Sequence, residues 1–183
     1  MRKSILSLFL VLTIFLINNS HVSASDDSKT APEIKVVLND LSILEDKITS
    51  LAEAIPADKY GWRPEDGVRS VSEVFAHIGS ANYFIASLMG AKIPDGFGEN
   101  PEKTITEKSE LQKLLKNSFK FVKDFVSNYD TSKLETVVKT PFGEMTNRDL
   151  LLLITSHLHE HLGQAIAYAR INGVVPPWSK KSE

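Results

Sequence analysis

The chain has 183 residues, no cysteine, 42% hydrophobic residues and 21 basic against 23 acidic side chains, the profile of one ordinary globular domain. Without thiols there are no disulfides, no cysteine-based zinc site, no protein-bound iron–sulfur cluster and no cysteine nucleophile, so any metal must rest on nitrogen and oxygen. A formal net charge of −2 argues against nucleic acid as a partner, because it offers no surplus of cations to a phosphate backbone.

Met1-Arg2-Lys3 gives a positive start, Ile5 to Ile17 is almost continuously apolar, and Val22-Ser23-Ala24 supplies residues of the kind a signal peptidase reads. The expectation is a signal peptide over residues 1–24, cleaved after Ala24, and a secreted or periplasmic product. At 1.5 Å per residue the apolar run spans roughly 20 Å against a hydrocarbon core of roughly 30 Å. No membrane span is expected after cleavage. Residues 25–31 read as a disordered linker and 179–183 as a disordered tail, leaving a folded domain over 32–178.

Prolines at 32, 56, 64, 94, 101, 141, 176 and 177 leave four long windows free of this helix breaker. The expected fold is all-α, a four-helix bundle. The first predicted helix carries Ile34, Val37, Leu38, Leu41, Leu44, Ile48, Leu51 and Ile55 at three- and four-residue spacing, between Pro32 and Pro56. A long loop follows, with Tyr60, Trp62 and Arg63-Pro64. The second helix opens on Ser70-Val-Ser-Glu73, a capping-box pattern, and runs through Val74, Phe75, Ile78, Phe84, Ile85 and Leu88 to Gly90.

The third begins near Thr104-Ile-Thr-Glu107 and sets Leu111, Leu114, Leu115, Phe119, Val122, Phe125 and Val126 on one face. Leu134 to Met145 alternates β-branched residues around Pro141-Phe142-Gly143, which predicts a short extended segment before the fourth helix. That last helix, the longest, opens at Thr146-Asn-Arg-Asp149 and stops at Asn172-Gly173 before Pro176-Pro177.

Leaving aside His21 in the leader, the histidines are His77 on the second helix and His157, His159 and His161 on the fourth. Taking His157 as zero at 100° per residue, His161 falls at about 40°, Gln164 at about −20° and Tyr168 at about 20°, whereas His159 lies at about 200°. Two imidazoles thus share one stripe, at the i, i+4 spacing that lets both reach one ion. Ile154 and Ala165 lie on the same side, so the stripe faces the interior. His77 sits among Val74, Ile78, Ala81 and Phe84 and either joins the pair or is a core histidine satisfied by hydrogen bonds. Gly79 and Gly163 point away from the candidate ligands and are expected where helices approach closely.

Ser70-Val-Ser-Glu-Val-Phe-Ala-His77, His157-Leu-His-Glu-His161-Leu-Gly-Gln164 and the order of four helices resemble the DinB superfamily of metal-dependent four-helix proteins, over essentially all of residues 32–178. The resemblance extends to bacterial low-molecular-weight thiol S-transferases and to mycothiol-dependent maleylpyruvate isomerase. It implies a metal triad of His77, His157 and His161, a divalent ion such as zinc or nickel, a supporting role for Gln164, and pairing into a homodimer. Loop residues Tyr60, Trp62 and Trp178 could cover such an interface, but local packing is the simpler expectation.

Three functions compete. A three-histidine metal with an open position can activate a small thiol cosubstrate for transfer to a small-molecule substrate. A zinc hydrolase is the second, since His157-Leu-His-Glu160-His161 spells H-x-x-E-H, but the glutamate ligand such enzymes need downstream has no counterpart except Glu183. The third is a non-catalytic metal-binding or structural bundle. An enzyme predicts a cavity opening on the histidines; a packing role predicts that they are occluded.

Overall fold

A computed structural model describes residues 31–95, 97–98 and 100–180; the leader and nearly all of the linker expected from the sequence lie outside these. Four long helices make the bundle: α1 (Pro32–Ala54), α2 (Val71–Leu88), α4 (Lys108–Ser127) and α5 (Asn147–Ile171), with a single turn of helix, α3 (Pro101–Thr104), between α2 and α4. An antiparallel hairpin of β1 (Val137–Thr140) and β2 (Gly143–Thr146) precedes α5. No helix among the described residues is long and apolar enough to cross a membrane.

Local chemistry marks the starts of α1, α2 and α5 and the ends of α2 and α5. Pro32 occupies the first turn of α1, where its missing N–H is not needed. At the start of α2 the Ser70 hydroxyl accepts from the Glu73 amide while the Glu73 carboxylate accepts from the Ser70 amide, and Thr146 and Asp149 repeat this at α5. Gly90 and Gly173, at φ of 98° and 75°, turn the chain out of α2 and α5 through left-handed backbone. The third long helix starts at Lys108, later than expected, because Pro101 opens its own turn and Ile105 then adopts extended backbone.

The bundle is a ring in which α2 and α1 each pack against both α4 and α5, placing α1 and α2 at opposite corners. A chain leaving α1 must therefore cross the end of the bundle to reach α2, which accounts for the long loop between them. That loop is packed rather than loose: Tyr60 is buried and its hydroxyl donates to the Ala52 carbonyl at 2.6 Å. The core stripe of α1 is as expected except for Leu38, which is only partly buried. Each fully buried aliphatic side chain contributes about 1.5–3 kcal/mol, so this stripe is a major source of stability. On α2, Phe84 is 40% exposed and stands at a cavity mouth.

Gly79 lets α2 and α4 touch. A Cβ placed on it would lie 2.7 Å from Leu114 Cγ, whereas one on Gly163 meets nothing, so only the first of the two glycines serves close approach. Overpacking costs about 1–3 kcal/mol, of which helix propensity returns about 1 kcal/mol. Gly79→Ala should thus lower stability by about 1 kcal/mol in urea unfolding. In a Leu114→Ala background the same change should be neutral or stabilising. Equal destabilisation in both backgrounds would show that this contact is not the cause.

Candidate metal centre

Because α2 and α5 are neighbours, His77 meets the α5 stripe. His77, His157 and His161 each bring one ring nitrogen into a group whose members lie within 4.8 Å of one another. Ring centroids are 4.9 Å apart for His77 and His157, 4.5 Å for His77 and His161, and 4.4 Å for His157 and His161. His159, on the opposite side of α5, is exposed and lies 3.1 Å from the Asp40 carboxylate. Glu160 is exposed. The helical rotation thus sets His157 and His161 beside His77 and leaves His159 and Glu160 apart from them.

Two of the rings are held from behind. His77 Nδ1 lies 2.7 Å from Glu102 Oε1 on α3, and Arg69 grips the same carboxylate at 2.7 Å and 3.3 Å. An ionised carboxylate only accepts, so the His77 proton sits on Nδ1 and Nε2 presents a lone pair. His161 Nδ1 lies 2.9 Å from Gln164 Oε1, and the Gln164 amide donates to the Tyr168 hydroxyl at 3.0 Å. With the amide oxygen facing the ring, the His161 proton sits on Nδ1 as well. Trp62, from the long loop, packs edge-on against Tyr168 at 5.2 Å, so the loop braces the end of this chain of contacts.

His157 is different. Its Nε2 lies 3.0 Å from His77 Nε2, and its Nδ1 is buried without a hydrogen-bond partner among the described residues. Burial, reinforced by His161, His77 and Arg69, lowers its pKa to about 4. Burial also lowers that of His77, partly offset by the bond to Glu102. Both rings are thus neutral near pH 7, the form in which imidazole binds a metal. At 3.0 Å the two Nε2 atoms can share a proton, with His157 donating to the His77 lone pair, and the separation is also close to the roughly 3.3 Å between ligands of a tetrahedral ion with bonds of about 2.0–2.1 Å. Three imidazole nitrogens so placed could hold a metal ion.

Glu102 and Arg69 carry no motif and were invisible to periodicity and spacing. The available signal was general: a ligating histidine wants an acceptor on its second nitrogen, and the stretch after α2 holds several acids from which spacing cannot choose. Residues 89–107 are longer than a connection between adjacent helices requires. The surplus length is what brings Glu102 to His77.

Glu73 ties the surroundings together. Besides capping α2 it bonds Arg63 of the long loop at 3.1 Å and Lys103 of α3. Burial would raise its pKa, but Lys103, the Ser70 amide and Arg63 outweigh that and hold it at about 2. A carboxyl depressed on folding stabilises above its unfolded value and loses that contribution as the pH falls towards its folded value. Stability should therefore decline from about pH 5 towards pH 2. In Glu73→Gln that decline should be shallower, and the variant should be about 1.5–3 kcal/mol less stable at pH 7, the worth of a hydrogen bond to a charged group. Parallel unfolding curves for the two chains at all pH values would contradict this.

A sequence model of the DinB superfamily matches residues 40–165. Among solved structures, a DinB-like protein from Bacillus cereus ATCC 10987 superposes with a TM-score of 0.68 at 21% identity, covering 79% of this chain and 95% of that one. The DinB-like protein YjoA from Bacillus subtilis gives 0.62 at 18% identity, covering 80% and 99%. A conserved protein from Enterococcus faecalis gives 0.61 at 15% identity, covering 78% and 98%. No curated protein matches the chain. At these identities the structural likeness concerns the fold.

Proposed function

The chain belongs to the DinB superfamily, and from that premise we propose that it is an exported metal-dependent transferase. In this reading His77, His157 and His161 hold zinc or nickel, and a small thiol is the cosubstrate. The observation that carries the proposal is a cavity of about 250 Å³ that reaches His77 and His157. Imidazoles that served packing alone would gain nothing from a hollow beside them. A divalent ion at this position supplies Lewis acidity and makes a thiolate available at neutral pH.

The chain's own residues hold and orient. Glu102 and Gln164 fix two rings with their Nε2 atoms forward, and Phe84 and Leu153 wall the cavity against water. With no cysteine in the chain, a transferred sulfur has to arrive from outside. Hydrolysis is less well supported, because Glu160 is exposed and Glu102 is engaged by His77 and Arg69. A second copy of the chain is the expected partner in solution.

The test is a metal-loaded preparation given phenylmethanethiol and a chromogenic aryl halide. Thioether formation should depend on the metal and be lost in His157→Ala. Rates for the variant and the metal-free protein equal to that of the metal-loaded wild type would overturn the transferase reading, and metal-dependent cleavage of a nitrophenyl ester without thioether formation would favour the hydrolase.

A further inference from the structure

The cavity beside the imidazoles has a chemical character of its own. Its floor is His77 and His157, and its walls are Ala81, Ile85, Leu153 and the two rings Phe84 and Phe142. Ser80 also lines it, but that hydroxyl already donates to the Ala76 carbonyl at 2.7 Å. Among the described residues, no lysine, arginine, aspartate or glutamate lines it. An anionic or zwitterionic body placed here would lose its hydration with no partner to replace it, at a cost of several-fold to many-fold in affinity.

The mouth is built from two separate elements. Pro141-Phe142 forms the two-residue turn between β1 and β2, and the Thr140 hydroxyl accepts from the Phe142 amide at 3.0 Å. That turn sets the Phe142 ring against Phe84 of α2, edge to face at 6.5 Å. Both rings stay substantially exposed, at 66% and 40%. Neither is needed for the core; together they form apolar lips around the opening.

We infer that this cavity takes a small uncharged molecule with an apolar, monocyclic aromatic or branched-alkyl body and one sulfur or oxygen head directed at His77 and His157. The inference rests on the metal-centre reading only for what the head binds. An engineered apolar cavity of roughly 150 Å³ holds benzene, so about 250 Å³ suits a ring with a few further heavy atoms. Thiols bearing carboxylates do not fit the lining. If the protein transfers sulfur, the cavity seats the apolar reactant, and a polar thiol must approach from outside the lips.

The test follows Ala81, Ile85 and Leu153 methyl resonances while toluene, phenylmethanethiol or mercaptosuccinate is added to metal-free and zinc-loaded protein. Toluene and phenylmethanethiol should shift these methyls even without metal, and zinc should tighten only the thiol. Mercaptosuccinate should leave them unmoved. Phe142→Ser, a change at an exposed turn, should weaken toluene about two- to ten-fold, and Leu153→Phe, which fills the space, should abolish its effect. Toluene binding without any zinc enhancement of the thiol would leave the cavity assignment standing and remove the metal reading. Zinc retained with no methyl response to toluene, or an equal response to mercaptosuccinate, would overturn the inference.

Discussion

His157→Ala should behave as two different mutations depending on whether metal is present. In metal-free protein it should cost little, because the ring it removes carries a buried Nδ1 with no hydrogen-bond partner among the described residues, which offsets its Nε2 contact with His77 at 3.0 Å. Such a group is a burden on the fold rather than a support. With zinc or nickel in excess the wild type should gain stability by linkage, about 4 kcal/mol at a thousand times the dissociation constant. The variant should gain almost none of this. Removing a ligand outright should cost more than the 10–100-fold typical of losing a ligand's hydrogen-bond partner, so affinity should fall by well over about 100-fold. Thermal unfolding of both proteins with and without metal reads all four states. A large destabilisation of metal-free protein, with no metal effect on the wild type, would show His157 to be a packing residue.

Glu102→Gln carries the second large effect. The glutamine can still accept from His77 Nδ1 but loses its charge and its pairing with Arg69. A carboxylate behind an imidazole raises its basicity and locks its orientation. Metal affinity should fall about 10–100-fold, and Glu102→Ala should do at least as much damage. Glu102→Asp, whose shorter arm keeps the charge, should recover part of it. Because Glu102 touches the ion only through His77, the discriminating readout is metal affinity by competition with a chelator, alongside an unchanged helical signal. Unaltered affinity in Glu102→Ala would mean that α3 positions nothing.

Much of this centre was legible in the chain because helices obey a fixed rotation. Proline placement, capping pairs at Ser70–Glu73 and Thr146–Asp149, and 100° per residue suffice to put His157, His161, Gln164 and Tyr168 on one stripe and His159 opposite. Whether His77 joins them depends on which helices are neighbours, and periodicity says nothing about that. Family resemblance supplied it, and the packing of α2 against α5 bears it out. Glu102 was not readable, since its position depends on how residues 89–107 fold around Pro101 and not on any repeat. Periodicity set Phe84 beside His77, but it could not show the hollow that opens there. Phe142 is a similar case. The turn around it was expected, but its meeting with Phe84 is a tertiary event between distant segments.

The most direct test is elemental analysis of protein purified without an affinity tag, dialysed with zinc or nickel and then freed of loosely held ions. About one divalent ion per chain is expected, bound through imidazole nitrogens in X-ray absorption spectra and absent from His157→Ala. A wild-type chain that retains no ion, or retains it equally when His157 is gone, would contradict this expectation.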